Sequence, residues 1–309
     1  MFESLVYPKC PHVALGFGNK TVTAVSLQKI GSGRFTIRRA ATSDFDETIL
    51  IPSFDDLNIM DFSALMRILG VLVTDAGLGS QKRWSVALPA SSARTSIITL
   101  DDTPTSRTEL EEMLDWKSEI AFGAPINQLR VSRDKIADSI EGRARYFATA
   151  VRLSVLEQYE DLFSELGWHV GMILPRAVSE SRWFSRAHGD SLLISTQDDG
   201  FTALLMRDNE PVVVRSVTCR ESEIDDEVYR LLVYYQDRVA ASATGQGLTR
   251  LLVLGDNISS ERIGSITDEA MGRSLPVARP EELGFEIPAG GLRFGDLAAP
   301  AGLAALAWL

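Results

Sequence analysis

The sequence predicts an α/β protein in which a βββαβαβα unit occurs twice, with a βαββ insertion inside the first copy. Short β-type runs joined by tight turns come as a set of three over 13–41 and again over 190–217. Each set is followed by an amphipathic helix and a further strand. Helix and strand then alternate, which demands crossover connections and a sheet covered on both faces.

The first set is VALGFG (13–18), TVTAVSLQ (21–28) and RFTIRRAA (34–41), separated by Asn19-Lys20 and by Gly31-Ser32-Gly33. The next helix places Phe62, Leu65, Met66, Leu69, Leu72 and Val73 on one side, with Asp61 as its start signal and Gly77 as its stop. The strand RWSVALP (83–89) follows. The insertion reads as strand 95–100, helix 107–122, strand 129–135 and strand 144–152. The first copy closes with helix 154–167 and strand 169–174.

The second set is 191–197, 201–207 and 211–217, joined by turns rich in Asp, Asn and Gly. A helix over 223–243 carries Ile224, Val228, Leu231, Leu232 and Tyr235 on one face. Strand 250–255, a helix near 258–270, a short strand 275–278 and an Ala- and Gly-rich end complete the copy. The expected organisation is a first half over 1–91, the insertion over 92–150, completion of the first half over 151–189, and a second half over 190–309.

With 31 Lys plus Arg against 42 Asp plus Glu, the net charge of −11 argues against nucleic acid and anionic lipid as partners. Acidic clusters at 108–114 and 221–227 read as solvated helix faces. Two cysteines, Cys10 and Cys219, make no disulfide framework, and His12, His169 and His188 have no second ligand at metal spacing, so no metal site is expected. No apolar run reaches the ~18 residues of a membrane helix. A soluble, cytoplasmic protein is expected.

Two copies of βββαβαβα with an insertion in the first resemble the actin-like fold, and within it the PilM family of type IV pilus assembly proteins and its secretion-system relatives. The residues carrying the likeness are Met1-Phe2 with Leu5, the segment 108–131 with Trp116, Pro125 and Ile126, the helix and strand of 148–174, and the closing 295–309. The resemblance implies that the cytoplasmic tail of a single-span, PilN-like membrane partner binds between the insertion and the first half. It further implies Leu88, Thr95, Ile97 and Trp116 as candidate contacts, and location at the inner face of the inner membrane through that partner. A secretion-system relative of this kind would instead recruit a hexameric motor ATPase. Trp116 lies beside the stripe Leu110, Met113, Leu114 and Ile120, and two readings stay open: packing on the insertion's own strands, or a place at the cleft.

Actin-like ATPases present an acid, a Gly and a Ser or Thr in each of two hairpins. Laid over that pattern, the first loop offers Gly16 where the acid belongs, then Gly18 and Asn19. The second aligns Ser195 with the acid and Gln197 with the Gly, and the adenine-side pair shrinks to Gly255 followed by Asp256. The helix over 223–243 follows the third strand almost directly, leaving no room for the family's subdomain over the nucleotide, so the lid is reduced. The expectation is a non-catalytic scaffold without cofactor. The alternative is an active ATPase using ATP and magnesium, in which Asp198, Asp199 or Asp256 replace the lost acids and Lys20 meets a phosphate. The apolar arm with Phe2, Leu5, Val6 and Tyr7, ended by Pro8 and Pro11, is expected to dock back on the first half.

Overall fold

The computed structural model of the chain describes residues 10–184, 188–240, 247–255, 257–288 and 291–308. The amino-terminal arm, with Phe2, Leu5, Val6 and Tyr7, and also Asp256, lie outside the described residues.

The first meander is β1 (Val13–Phe17), β2 (Thr21–Gly31) and β3 (Arg34–Asp44), antiparallel throughout. Helix α1 (Phe62–Asp75) begins where the Asp61 carboxylate accepts the Ala64 amide at 2.8 Å, as its sequence signal requires. Its chain reverses at Gly77, whose φ of +65° suits glycine. β4 (Arg83–Leu88) runs parallel to β1, and after the insertion α3 (Leu153–Glu165) leads to β8 (His169–Pro175), parallel to β4.

The insertion is β5 (Arg94–Thr99), α2 (Arg107–Phe122), β6 (Leu129–Ile136) and β7 (Arg145–Arg152), an antiparallel sheet ordered β5-β7-β6 under one helix. The second half repeats the meander as β9 (Asp190–Gln197), β10 (Gly200–Arg207) and β11 (Glu210–Thr218). Then come α5 (Ile224–Tyr234), β12 (Leu248–Leu254) and α6 (Ser260–Met271). α5 starts six residues after β11 ends, with only a 3-10 turn between, and runs into a π-helical turn at Tyr235–Val239.

The sheet orders show the duplication. The first is β3-β2-β1-β4-β8, extended at its β3 edge by β13 (Phe285–Glu286), and the second β11-β10-β9-β12. The expected strand 275–278 reduces to a single parallel bridge, Leu251 to Val277. Pro276 beside it has no N–H to extend a ladder. Two elements were not foreseen: the short helix α4 (Arg176–Ser181) and the two-residue β13 (Phe285–Glu286).

α1 and α3 cover one face of the first sheet, burying Leu65, Leu69, Leu72, Val155, Tyr159 and Phe163 against Leu15, Phe17 and Trp84. α5 and α6 cover the second sheet in the same way. The remaining face of each sheet meets a shared layer made by α4 and the last helix, α7 (Phe294–Ala305), so Ala14, Val25 and Ala87 join Leu193, Leu204 and Leu252 in one core. No helix among the described residues is long and apolar enough to cross a membrane.

Candidate functional site

Alternation along β1 sends Leu15 and Phe17 into the first half's own core and Ala14 to the shared layer. Gly16 faces the same way as Ala14, and a Cβ there would lie 2.5 Å from Pro300 Cδ of α7. The position that would carry an acid is therefore filled by a proline from the other half. At Gly18 the amide donates to the Thr21 carbonyl at 2.8 Å, and a Cβ would stand 3.4 Å from Arg176 Nη1.

The second loop converges on the same place. Ser195 is buried on β9. The Gln197 carbonyl accepts Asn257 Nδ2 at 3.1 Å, while its buried side-chain oxygen has no partner. Gly255, with φ +98°, lies so close to Thr196 that a Cβ would sit 2.1 Å from the Thr196 hydroxyl. Between the loops stands Arg176. Its Nε donates to Glu180 at 2.7 Å and its Nη2 to the Gly295 carbonyl at 2.5 Å, next to the Gly255 amide. Glu180 has no exposed surface, and burial pushes its pKa up. Arg176 pulls it back down, as does the Ser195 hydroxyl from outside hydrogen-bond geometry. The two loops thus close on an Arg176–Glu180 pair, with the carboxylate wholly buried, that reaches from Gly18 to Ser195.

Beyond this pair an open cleft of about 630 Å³ is lined by Asn19, Lys20 and Asn257 with Glu47, Asp198, Asp199 and Glu221. Lys20 pairs with Glu47 and stands 3.9 Å from Asp198, and the Glu47 hydrogen bond raises its pKa. Four carboxylates against one paired ammonium make a field that repels a polyphosphate. Among the described residues no three His, Cys, Asp or Glu side chains gather as a metal site.

A second concavity, of about 260 Å³, separates the insertion from the first half. One wall is β8, the free edge of the first sheet, from Val170 to Pro175. The other is β6, an edge of the insertion sheet, with its neighbour β7. Ser132 and Thr149 are cross-strand partners on this wall, Val151 and Leu156 add apolar surface, and Arg130 and Glu160 supply opposite charges.

Of the four partner contacts expected, Leu88 lines this groove. Thr95 and Ile97 do not: β5 lies across β7 from β6, on the side that approaches β11. Trp116 does not line the groove and is 58% exposed, with Ile120 at 62%. The helix phase explains this exposure. The buried positions of α2 are Leu114, Ser118 and Phe122, spaced by four, with the Ser118 hydroxyl satisfied by the Leu114 carbonyl. Leu110, Met113 and Leu114 of the expected stripe do pack on the insertion's core, and it departs only at Ile120, because a polar residue, Ser118, holds the next inward position. Sequence reasoning also missed Ser132, Thr149, Met172 and Ile173, although the strand closing the first copy sits at the sheet edge by topology.

No protein-family model matches the sequence, and no curated protein does. Among solved structures, the chain superposes on one from the PilM-PilN type IV pilus biogenesis complex with a TM-score of 0.74. The alignment covers 97% of this chain and 99% of that one at 15% identity. The fold is actin-like, of the PilM kind. Also similar are the cytoplasmic domain of EpsL, an inner-membrane component of the type II secretion system of Vibrio cholerae (14% identity, 96% and 93% covered, TM-score 0.49), and a Bacteroides thetaiotaomicron protein with an actin-like ATPase fold (13%, 94% and 96%, 0.48). In this PilM-like frame the duplicated halves bring Gly16, Gly18, Asn19, Ser195, Gln197 and Gly255 around one interdomain locus.

Proposed function

We propose that the chain is a PilM-like assembly scaffold of a type IV pilus or related secretion apparatus. In this reading its groove holds the extended cytoplasmic tail of a single-span, PilN-like membrane partner, which brings the protein to the inner membrane. The observation that supports it is the groove's construction: among the described residues both bordering strands, β8 and β6, are sheet edges. An extended peptide adds to such an edge through main-chain hydrogen bonds while side-wall pockets select its side chains. In the scaffold reading no nucleotide is used, because Pro300, Arg176 and Glu180 fill the space where the loops meet.

The test is titration of a fluorescein-labelled tail peptide from the PilN-like protein of the same genome. Saturable binding is expected, weakened about tenfold or more (about 1.4 kcal/mol or more) by Thr149→Arg, which fills the groove from a half-buried position. Equal affinity in that variant, or no binding by the parent chain, overturns the proposal. A second reading is an ATPase, in which magnesium held by Asp198 and Asp199 of the open cleft offsets its carboxylates and Lys20 meets a phosphate. Saturable micromolar binding of labelled ATP with magnesium, lost in Asp199→Ala, would establish that second reading.

A further inference from the structure

A third cavity, of about 370 Å³, opens where the β2–β3 hairpin meets the second half. Its walls are aromatic. Phe35 and Trp308 hold their rings 5.5 Å apart, and Trp183 forms the buried floor, its indole N–H donated to the Ala298 carbonyl at 2.8 Å and its ring packed on Phe285 at 4.8 Å. The charged groups around it are Lys29, Arg34, Arg182 and Arg250, against Glu281 and Glu282. Arg34 is engaged by Glu286, and Glu282 by Arg279 at 3.1 Å and by the charge of Arg250.

Arg182 is different. It is half-buried, and among the described residues its guanidinium makes no hydrogen bond or ion pair. Burial lowers its pKa, opposed only by Cys10. Lys29 forms no ion pair among the described residues either. A desolvated guanidinium with no acceptor is costly, and it is the group best shaped to take a carboxylate or phosphate with two parallel hydrogen bonds. With Arg34 held by Glu286 and Arg250 facing Glu282, Lys29 and Arg182 against Glu281 still leave a cationic excess at this cavity in a chain of net charge −11.

We propose that this cavity binds an anion with a flat apolar body, of the class of aromatic carboxylates and aryl phosphate esters. Arg182 anchors the charge, Lys29 assists at the mouth, and the ring packs on Phe35 and Trp308 over the floor that Trp183 makes. The volume lies within the roughly 300–1,000 Å³ range of small-molecule pockets. Since the walls come from both halves, the ligand would also tie them together.

The experiment is calorimetric titration of the full chain with 4-methylumbelliferyl phosphate and with 1-naphthoate. Saturable binding of at least one is expected, with 4-methylumbelliferone and inorganic phosphate each about tenfold weaker or worse. Arg182→Met should weaken it about tenfold or more. Because that residue is half-buried, Lys29→Gln on the exposed hairpin serves as the second variant, with a few-fold loss and an unchanged melting curve expected. Thr149→Arg, in the peptide groove, should bind the probe as the parent does. No saturable binding below about 1 mM, unchanged affinity in both Arg182→Met and Lys29→Gln, or equal binding of the uncharged 4-methylumbelliferone overturns the proposal.

Discussion

Glu180 is wholly buried, and among the described residues one of its carboxylate oxygens has no hydrogen-bond partner while the other holds Arg176. Burial raises its folded-state pKa above the unfolded value of about 4.3, so its favourable contribution is complete below that pH and is lost as pH rises through the folded value. Glu180→Gln removes the titration. Its stability relative to the parent should therefore climb between pH 4 and pH 8 in urea unfolding, and a pH-independent difference would refute this assignment. Asn58 shows the opposite economy, with every polar group employed. Its side-chain amide donates to the Ser53 and Asp56 carbonyls at 2.7 and 2.9 Å, its backbone N–H to Gln158 at 2.6 Å, and its oxygen accepts from Ser92 and from the buried Tyr159 hydroxyl. Asn58→Ala strands both hydroxyls, so a loss of about 3 kcal/mol is expected in denaturant unfolding, whereas Asp56→Ala at the exposed rim should cost under about 1 kcal/mol.

At the scale of elements, the insertion is held at its two chain crossings. Arg94 opens β5 and Arg152 closes β7, and both guanidiniums stand over the Phe54 ring, at 4.1 and 5.6 Å, while bonding Asp55. Phe54 is itself part of the insertion's core with Ile98, Leu114 and Phe122. Phe54→Ala should cost about 3–5 kcal/mol and speed amide exchange in β5 to β7 more than in β1 to β4. Uniform exchange across both would show that the insertion is not a separate unit. These strands and α2 were legible because an eight-residue strand or a sixteen-residue helix carries enough periods to declare itself. α4, with six residues, and β13, with two, carry too few. The groove was only half legible. Leu88 follows from its place at the end of β4, but Ser132 and Thr149 belong to the site through their register, which no one strand reveals. The same limit hid the packing of the loops: the sequence shows a glycine at position 16, and only the structure shows Pro300 against it.

At the scale of the whole molecule, the halves exchange their closing elements. α7, from the end of the second half, lies on β1, β2 and β4 of the first, while α4, from the end of the first, reaches β9 and β10, and β13 extends the first sheet beside β3. α7 is apolar on every face, Leu297 to Ala304 being buried throughout, so its periodicity could not say which sheets it separates. The helices cross at Gly302, where a Cβ would fall 2.1 Å from the Ser179 carbonyl oxygen, and Trp183 is bonded to Ala298 just beyond. Such a crossing makes one core of two halves, so calorimetry should give a single unfolding transition with equal calorimetric and van't Hoff enthalpies. Gly302→Val drives a side chain into a backbone carbonyl that cannot swing aside. It should cost about 3 kcal/mol or more, lowering stability without splitting the transition, because neither sheet keeps its covering once the crossing opens. Two resolved transitions, in the parent or in the variant, would show instead that each half carries a core sufficient for itself.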